Sequence, residues 1–121
     1  MPPIKRHILC VDDNEDICFM LTTLLTRQDY DAKPASSIAE ALELAHNESF
    51  SLYILYSRLP DGTAVTFCHK LREFDPQTPI IVYTGDVFES NRQEVLEAGA
   101  DAFIAKPEMG ELLEAIGRFL N

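Results

Sequence analysis

The chain has 121 residues, 46% hydrophobic and 25% charged, which suffices for a single domain over residues 1–121 with a substantial core and a soluble surface. Ten basic against 20 acidic residues give a formal net charge of −10; a surface of that sign repels nucleic acid, whose binding depends on neutralising phosphates, and is read first as a means of solubility and second as compatible with a basic partner surface. No apolar run reaches the ~20 residues that cross a bilayer, and the N-terminal Met-Pro-Pro-Ile-Lys-Arg-His lacks an apolar stretch ahead of a cleavage site, so the reading is a cytoplasmic protein with no membrane contact.

In chain order, residues 7–11 form a short apolar run, the first expected strand. Residues 14–27 carry Ile17, Met20, Leu21, Leu24 and Leu25 at helical spacing. Asn14 is placed to cap that helix, and Glu15 and Asp16 suit its positive end. Residues 30–35 predict a second strand at an edge, because Pro34 cannot donate a ladder hydrogen bond. Ser36 or Ser37 caps a helix running to Asn47, with Ile38, Ala41, Leu42 and Ala45 inward. Residues 52–56 are the third strand, and Pro60-Asp61-Gly62 is turn chemistry. A helix over 63–73 uses Val65, Phe67, Cys68 and Leu71 and is broken by Asp75-Pro76. Residues 79–83 form a continuous hydrophobic run, suited to a parallel strand covered on both faces. A helix over 90–98 ends at Gly99, a fifth strand spans 102–105, and a closing helix over 108–120 uses Met109, Leu112, Leu113, Ile116 and Phe119.

Strands alternating with helices through short connections predict an α/β fold with a parallel sheet covered on both faces. In such sheets the functional crevice lies beyond the carboxyl ends of the strands. That rule gathers Asp12 and Asp13 from the first strand, Tyr56, Ser57 and Arg58 from the third, Thr84 and Gly85 from the fourth, and Lys106 and Pro107 from the fifth. Cys10, Cys18 and Cys68 are odd in number and lack Cys-x-x-Cys spacing, so they are expected as buried small hydrophobes. His7, His46 and His69 form no ligand pair in the sequence.

Val11-Asp12-Asp13-Asn14-Glu15, Leu59-Pro60-Asp61-Gly62, Thr84-Gly85, Gly99-Ala100-Asp101 and Lys106-Pro107 follow one another in an order and spacing that resemble response-regulator receiver domains of the CheY-like type. The resemblance covers essentially the whole chain. It implies a flavodoxin-like (βα)5 doubly wound sheet of five strands in the order 2-1-3-4-5. In that family the first acid pair holds a divalent metal, and an aspartate at the end of the third strand is phosphorylated. The hydroxyl after the fourth strand contacts the phosphoryl oxygens and the lysine neutralises them. An aromatic residue on the fifth strand changes rotamer on activation. Asp12, Asp13, Thr84, Lys106 and Phe103 match these positions.

The phosphoacceptor does not match. It stands four residues before the proline of the Leu-Pro motif, and that position here is Tyr56. A phenol, with a pKa near ~10, is largely protonated at neutral pH. Its oxygen lies further from the backbone than a carboxylate's, and it brings no charge to mimic phosphoaspartate. The resemblance therefore implies a degenerate pseudo-receiver of two-component (phosphorelay) signal transduction, acting as a phosphorylation-independent protein-interaction module and not as an enzyme. Its partners would be proteins meeting the helix 4–strand 5–helix 5 face, a second copy of the chain among them. Two other readings stay open: phosphorylation elsewhere, with Ser57 the nearest hydroxyl and Asp61 the nearest carboxylate, and a small-ligand or metal sensor in the vestigial crevice.

No cofactor is expected, because the pocket has one carboxylate fewer than the family's; Arg58 is read either as a plug of the metal site or as an exposed rim residue, and weak magnesium binding at Asp12 and Asp13 stays open. Two geometric expectations complete the reading. The Lys106–Pro107 bond is cis, as is usual in the family. Lys106 donates to Asp12 or Asp13 while Arg58 approaches the other or caps the crevice mouth, and Tyr56 fills part of the phosphoryl space or lies across its rim.

Overall fold

The computed structural model describes residues 6–121; residues 1–5, which contribute to the reading of the N-terminus, lie outside the described residues. The elements run β1 (His7–Val11), α1 (Glu15–Arg27), β2 (Asp31–Ala35), α2 (Ile38–Asn47), β3 (Leu52–Leu55), β4 (Arg58–Leu59), β5 (Gly62–Thr63), α3 (Ala64–Arg72), β6 (Ile80–Thr84), α4 (Glu89–Glu97), β7 (Ala102–Ala105) and α5 (Met109–Leu120). Five strands form one parallel sheet in the order β2-β1-β3-β6-β7. With the sheet strands alone counted, this is the flavodoxin-like 2-1-3-4-5 arrangement, and Pro34 sits on the edge strand as its missing donor requires.

Period-two alternation along the strands divides the core. Leu9, Val11, Tyr53, Leu55, Ile80 and Val82 face α2, α3 and α4, whose Ile38, Ala41, Phe67, Leu71 and Val95 cover them. Ile8, Cys10, Leu52, Ile54, Ile81 and Tyr83 face the opposite way, under Leu21 and Leu25 of α1 and Leu112 and Ile116 of α5. Both faces being covered explains why the central strands read as unbroken apolar runs.

Local signals set the helix starts. Asn14 accepts from the backbone N–H groups of Asp16 and Ile17 at 2.9 and 3.2 Å. Ser37, not Ser36, caps α2, its hydroxyl accepting from the Glu40 N–H at 3.1 Å. The stripe expected on α1 is narrower than its sequence spacing: Cys18, Leu21 and Leu25 are buried, whereas Met20 is 42% exposed and Phe19 is 72% exposed. All three cysteines are free and buried, as expected. Burial pushes the Cys10 thiol up strongly and the Cys68 thiol to about 11, so neither is a thiolate near neutral pH.

Two features depart from the sequence reading. The third strand stops at Leu55, leaving Tyr56 beyond it, and the loop that follows folds into the antiparallel β4–β5 ribbon. At its turn Gly62 has φ of +153°, and an added Cβ would meet Ile38 Cδ1 at 2.7 Å; the ribbon therefore packs directly against the start of α2. Asp61 uses that approach. Its carboxylate oxygens accept from the backbone N–H groups of Ile38 at 2.8 Å and Ala39 at 2.9 Å, a second cap supplied from outside the helix.

Those two backbone donors hold the Asp61 carboxyl below its usual range. A depressed folded pKa gives stability that is present above the unfolded value, near ~3.9 for aspartate, and lost as pH falls through the folded value. Asp61→Asn is therefore expected to lower Tm at neutral pH and to flatten the acid limb of Tm below about pH 4. Parallel acid limbs in the variant and the parent would remove Asp61 from this role.

Candidate functional site

The crevice at the carboxyl ends of β1, β3, β6 and β7 is built around one lysine. Asp12 follows β1, and its backbone N–H donates to Ala35 O at 3.0 Å, holding it against the neighbouring strand. Its side chain is only 4% exposed. One carboxylate oxygen accepts from the Asn14 N–H at 3.0 Å and the other from Lys106 Nζ at 2.9 Å. The Lys106 N–H donates to Thr84 O at 2.8 Å, and the Lys106–Pro107 bond is cis, as expected. Asp13, the other expected acid, is exposed, so the pair is not jointly shielded.

Tyr56 is half-buried, and its backbone N–H donates to Val11 O at 2.9 Å. The Lys106 ammonium lies 4.1 Å from the centroid of the Tyr56 ring and 5.8 Å from that of Tyr83. A cation over an aromatic face gains about 0.5–2 kcal/mol, so carboxylate and ring together fix the ammonium.

Thr84 is fully buried at the end of β6. Its Oγ1 lies 2.8 Å from Ser57 Oγ and accepts from the Asp86 N–H at 3.0 Å. The crevice rule gathers Ser57 and Thr84 at the ends of neighbouring strands, but their hydroxyl–hydroxyl hydrogen bond is not legible in the sequence. Phe103 is partly buried and packs against the α2–α3–α4 side of the core.

Of the two readings of Arg58, the exposed rim residue matches the structure and the plug does not. Its guanidinium lies 3.6 Å from the Asp86 carboxylate and is 78% exposed, and it forms no ion pair with Asp12 or Asp13 among the described residues. Residue 58 sits in the outward-turning ribbon, with side-chain direction set by the pairing of Arg58 with Thr63. It is not a plug in the acidic pocket, and removing it frees no oxygen of Asp12. Asp61, the alternative carboxylate acceptor, has both oxygens engaged at the α2 N-terminus.

The family's divalent metal can be tested against these residues. Magnesium takes six oxygen ligands, usually one or two carboxylates with several waters. Here both Asp12 oxygens are committed, the third carboxylate is replaced by Tyr56, and no group of three or more His, Cys, Asp or Glu is placed to hold a metal among the described residues. The family's third carboxylate is missing, while Asp13 remains and is exposed.

Residues 8–117 match the response regulator receiver domain family. The chain belongs to that family. It is 38% identical over 104 residues to the transcriptional regulatory protein SrrA of Staphylococcus aureus, a match covering 86% of this chain and 43% of the relative, so it spans less than half the length of that protein. Among solved structures it is similar to a CheY-like receiver domain protein of Methanospirillum hungatei JF-1, with 32% identity, TM-score 0.90, and 95% and 93% of the two chains covered. The non-phosphorylated HemR receiver domain of Leptospira biflexa gives 30% identity and TM-score 0.87 over 95% and 94% of the two chains. Among the described residues no helix is long and apolar enough to cross a membrane.

Proposed function

We propose that this receiver domain works in two-component signalling through protein contacts, without aspartyl phosphorylation. The observation that carries the reading is the residue beyond β3: Tyr56 stands where the family's phosphoacceptor stands, and the ammonium that would neutralise a phosphoryl group is already held between Asp12 and the Tyr56 ring. Phosphoryl transfer needs a positioned oxygen nucleophile and free positive charge at the equatorial oxygens. Tyr56 offers a phenol oxygen on a longer stem in place of a carboxylate, and Lys106 has a partner at 2.9 Å. Ser57 supports the same reading, because its hydroxyl gives Thr84 a partner in place of a phosphoryl oxygen. The domain is then a non-enzymatic module held in one state.

Its contact surface on this reading is the α4–β7–α5 face, and a basic partner suits the net charge of −10. A role in transcriptional control, which the name of the staphylococcal relative carries, is a proposal of the same standing.

Magnesium affinity tests the pocket. Two unit charges ~4 Å apart near a protein surface interact by roughly 4 kcal/mol, so restoring the third carboxylate in Tyr56→Asp is expected to strengthen magnesium binding at least ~10-fold by calorimetry at fixed ionic strength. Equal affinity in the parent and the variant would return a metal-dependent function to first place.

A further inference from the structure

A cavity of about 410 Å³ lies beside the crevice, between the β4–β5 ribbon and the start of α4, lined by Arg58, Thr63, Asp86, Phe88, Asn91 and Glu94 among others. Its size falls in the range of small-molecule sites, ~300–1,000 Å³. None of these side chains takes part in the Asp12–Lys106–Tyr56 arrangement.

The charges in its wall are unbalanced: two carboxylates, Asp86 and Glu94, face one guanidinium, Arg58. Asp86 is also poorly satisfied. One carboxylate oxygen of Asp86, whose side chain is 23% exposed, is buried with no hydrogen-bond partner among the described residues, and the other has only the Arg58 contact there, at 3.6 Å from a side chain that is 78% exposed. A carboxylate with one oxygen shielded from water and without good donors gains from a closer cation. It is also fixed in place, because its backbone N–H donates to Thr84 Oγ1 at 3.0 Å and its carbonyl accepts from Asn91 Nδ2 at 2.9 Å. At the rim stands the Phe88 ring, 77% exposed, a face that attracts cations. Glu89 in the first turn of α4 offsets the positive end of that helix.

We infer that this cavity binds a small organic ammonium, which takes the place of Arg58 at Asp86. The site is coupled to α4, whose only buried side chain is Val95, so a ligand bridging Asp86 and Glu94 biases the position of that helix. The inference stands whether or not Tyr56 excludes phosphoryl transfer, since its ligand contacts involve neither Tyr56, Asp12 nor Lys106.

The test is a titration of isotope-labelled protein with putrescine, followed by amide NMR shifts, with the uncharged isostere butanediol as control. Saturable shifts confined to α4 and the β4–β5 ribbon are expected from putrescine alone. Asp86→Asn is expected to weaken binding at least ~10-fold, whereas Arg58→Ala, which removes the competing cation, tightens it. Absence of saturable shifts, equal shifts from butanediol, or shifts spread over the acidic surface and unchanged in Asp86→Asn would each overturn the proposal.

Discussion

Lys106→Met is expected to destabilise the fold by about 3 kcal/mol in urea unfolding, at the low end of what breaking a buried ion pair costs. The magnitude follows from asymmetry. Asp12 is 4% exposed while Lys106 is 20% exposed, so methionine removes the cation and leaves the better-buried charge behind. The remaining partner of Asp12, the Asn14 N–H at 3.0 Å, satisfies one oxygen only. The ring contact at 4.1 Å goes as well, worth about 0.5–2 kcal/mol. The diagnostic comparison is the double variant. With Asp12→Asn added, no charge is left unpaired, and most of the lost stability returns. If Lys106→Met alone stays within about 0.5 kcal/mol of the parent, the ammonium is not holding Asp12 and the locked pocket is wrong.

Arg72→Met is the second large effect, again about 3 kcal/mol, from lost charge-assisted bonds to backbone carbonyls. The guanidinium reaches from the end of α3 to three loop carbonyls. Nε and Nη2 donate to Gly99 O at 3.2 and 2.8 Å, and Nη1 donates to Asp75 O at 3.0 Å and Thr78 O at 2.8 Å. Nη2 also pairs with Asp101 at 3.1 Å, and the same Asp101 oxygen accepts from the Ile80 N–H at 2.9 Å. One side chain thus ties the entries of β6 and β7 to α3. Gly99, with φ of +122°, lets the loop close over it, since an added Cβ would lie 3.0 Å from Arg72 Cγ. Arg72→Lys is expected to rescue little, because an ammonium cannot spread donors over a fork. A lysine variant within about 0.5 kcal/mol of the parent would contradict this account.

The contrast between these two residues marks how far the sequence carries. Periodicity and capping residues place the sheet strands and five helices to within a residue or two, because each element announces itself locally: Asn14 and Ser37 are short polar side chains just ahead of apolar stripes. Lys106 was legible through a dipeptide, Lys-Pro, at the end of a strand. Arg72 was not, for it reads as one cation at a helix end and its partners lie 3 to 29 residues away. The β4–β5 ribbon was missed because two-residue strands have no period to detect. Asp61 read as a turn residue, yet its partners are amides 22 and 23 residues earlier. The sequence left Arg58 open between plug and rim for a related reason: nearness to the pocket in sequence does not fix direction, and the side chain lies beside Asp86.

Intact mass after incubation with acetyl phosphate and magnesium tests the central claim most directly. The parent chain is expected to gain no phosphoryl group at saturating donor, whereas Tyr56→Asp, with Thr84 and Lys106 in place around the restored carboxylate, gains one that is lost on mild alkaline treatment. A stable gain of one phosphoryl group by the parent chain would contradict the account.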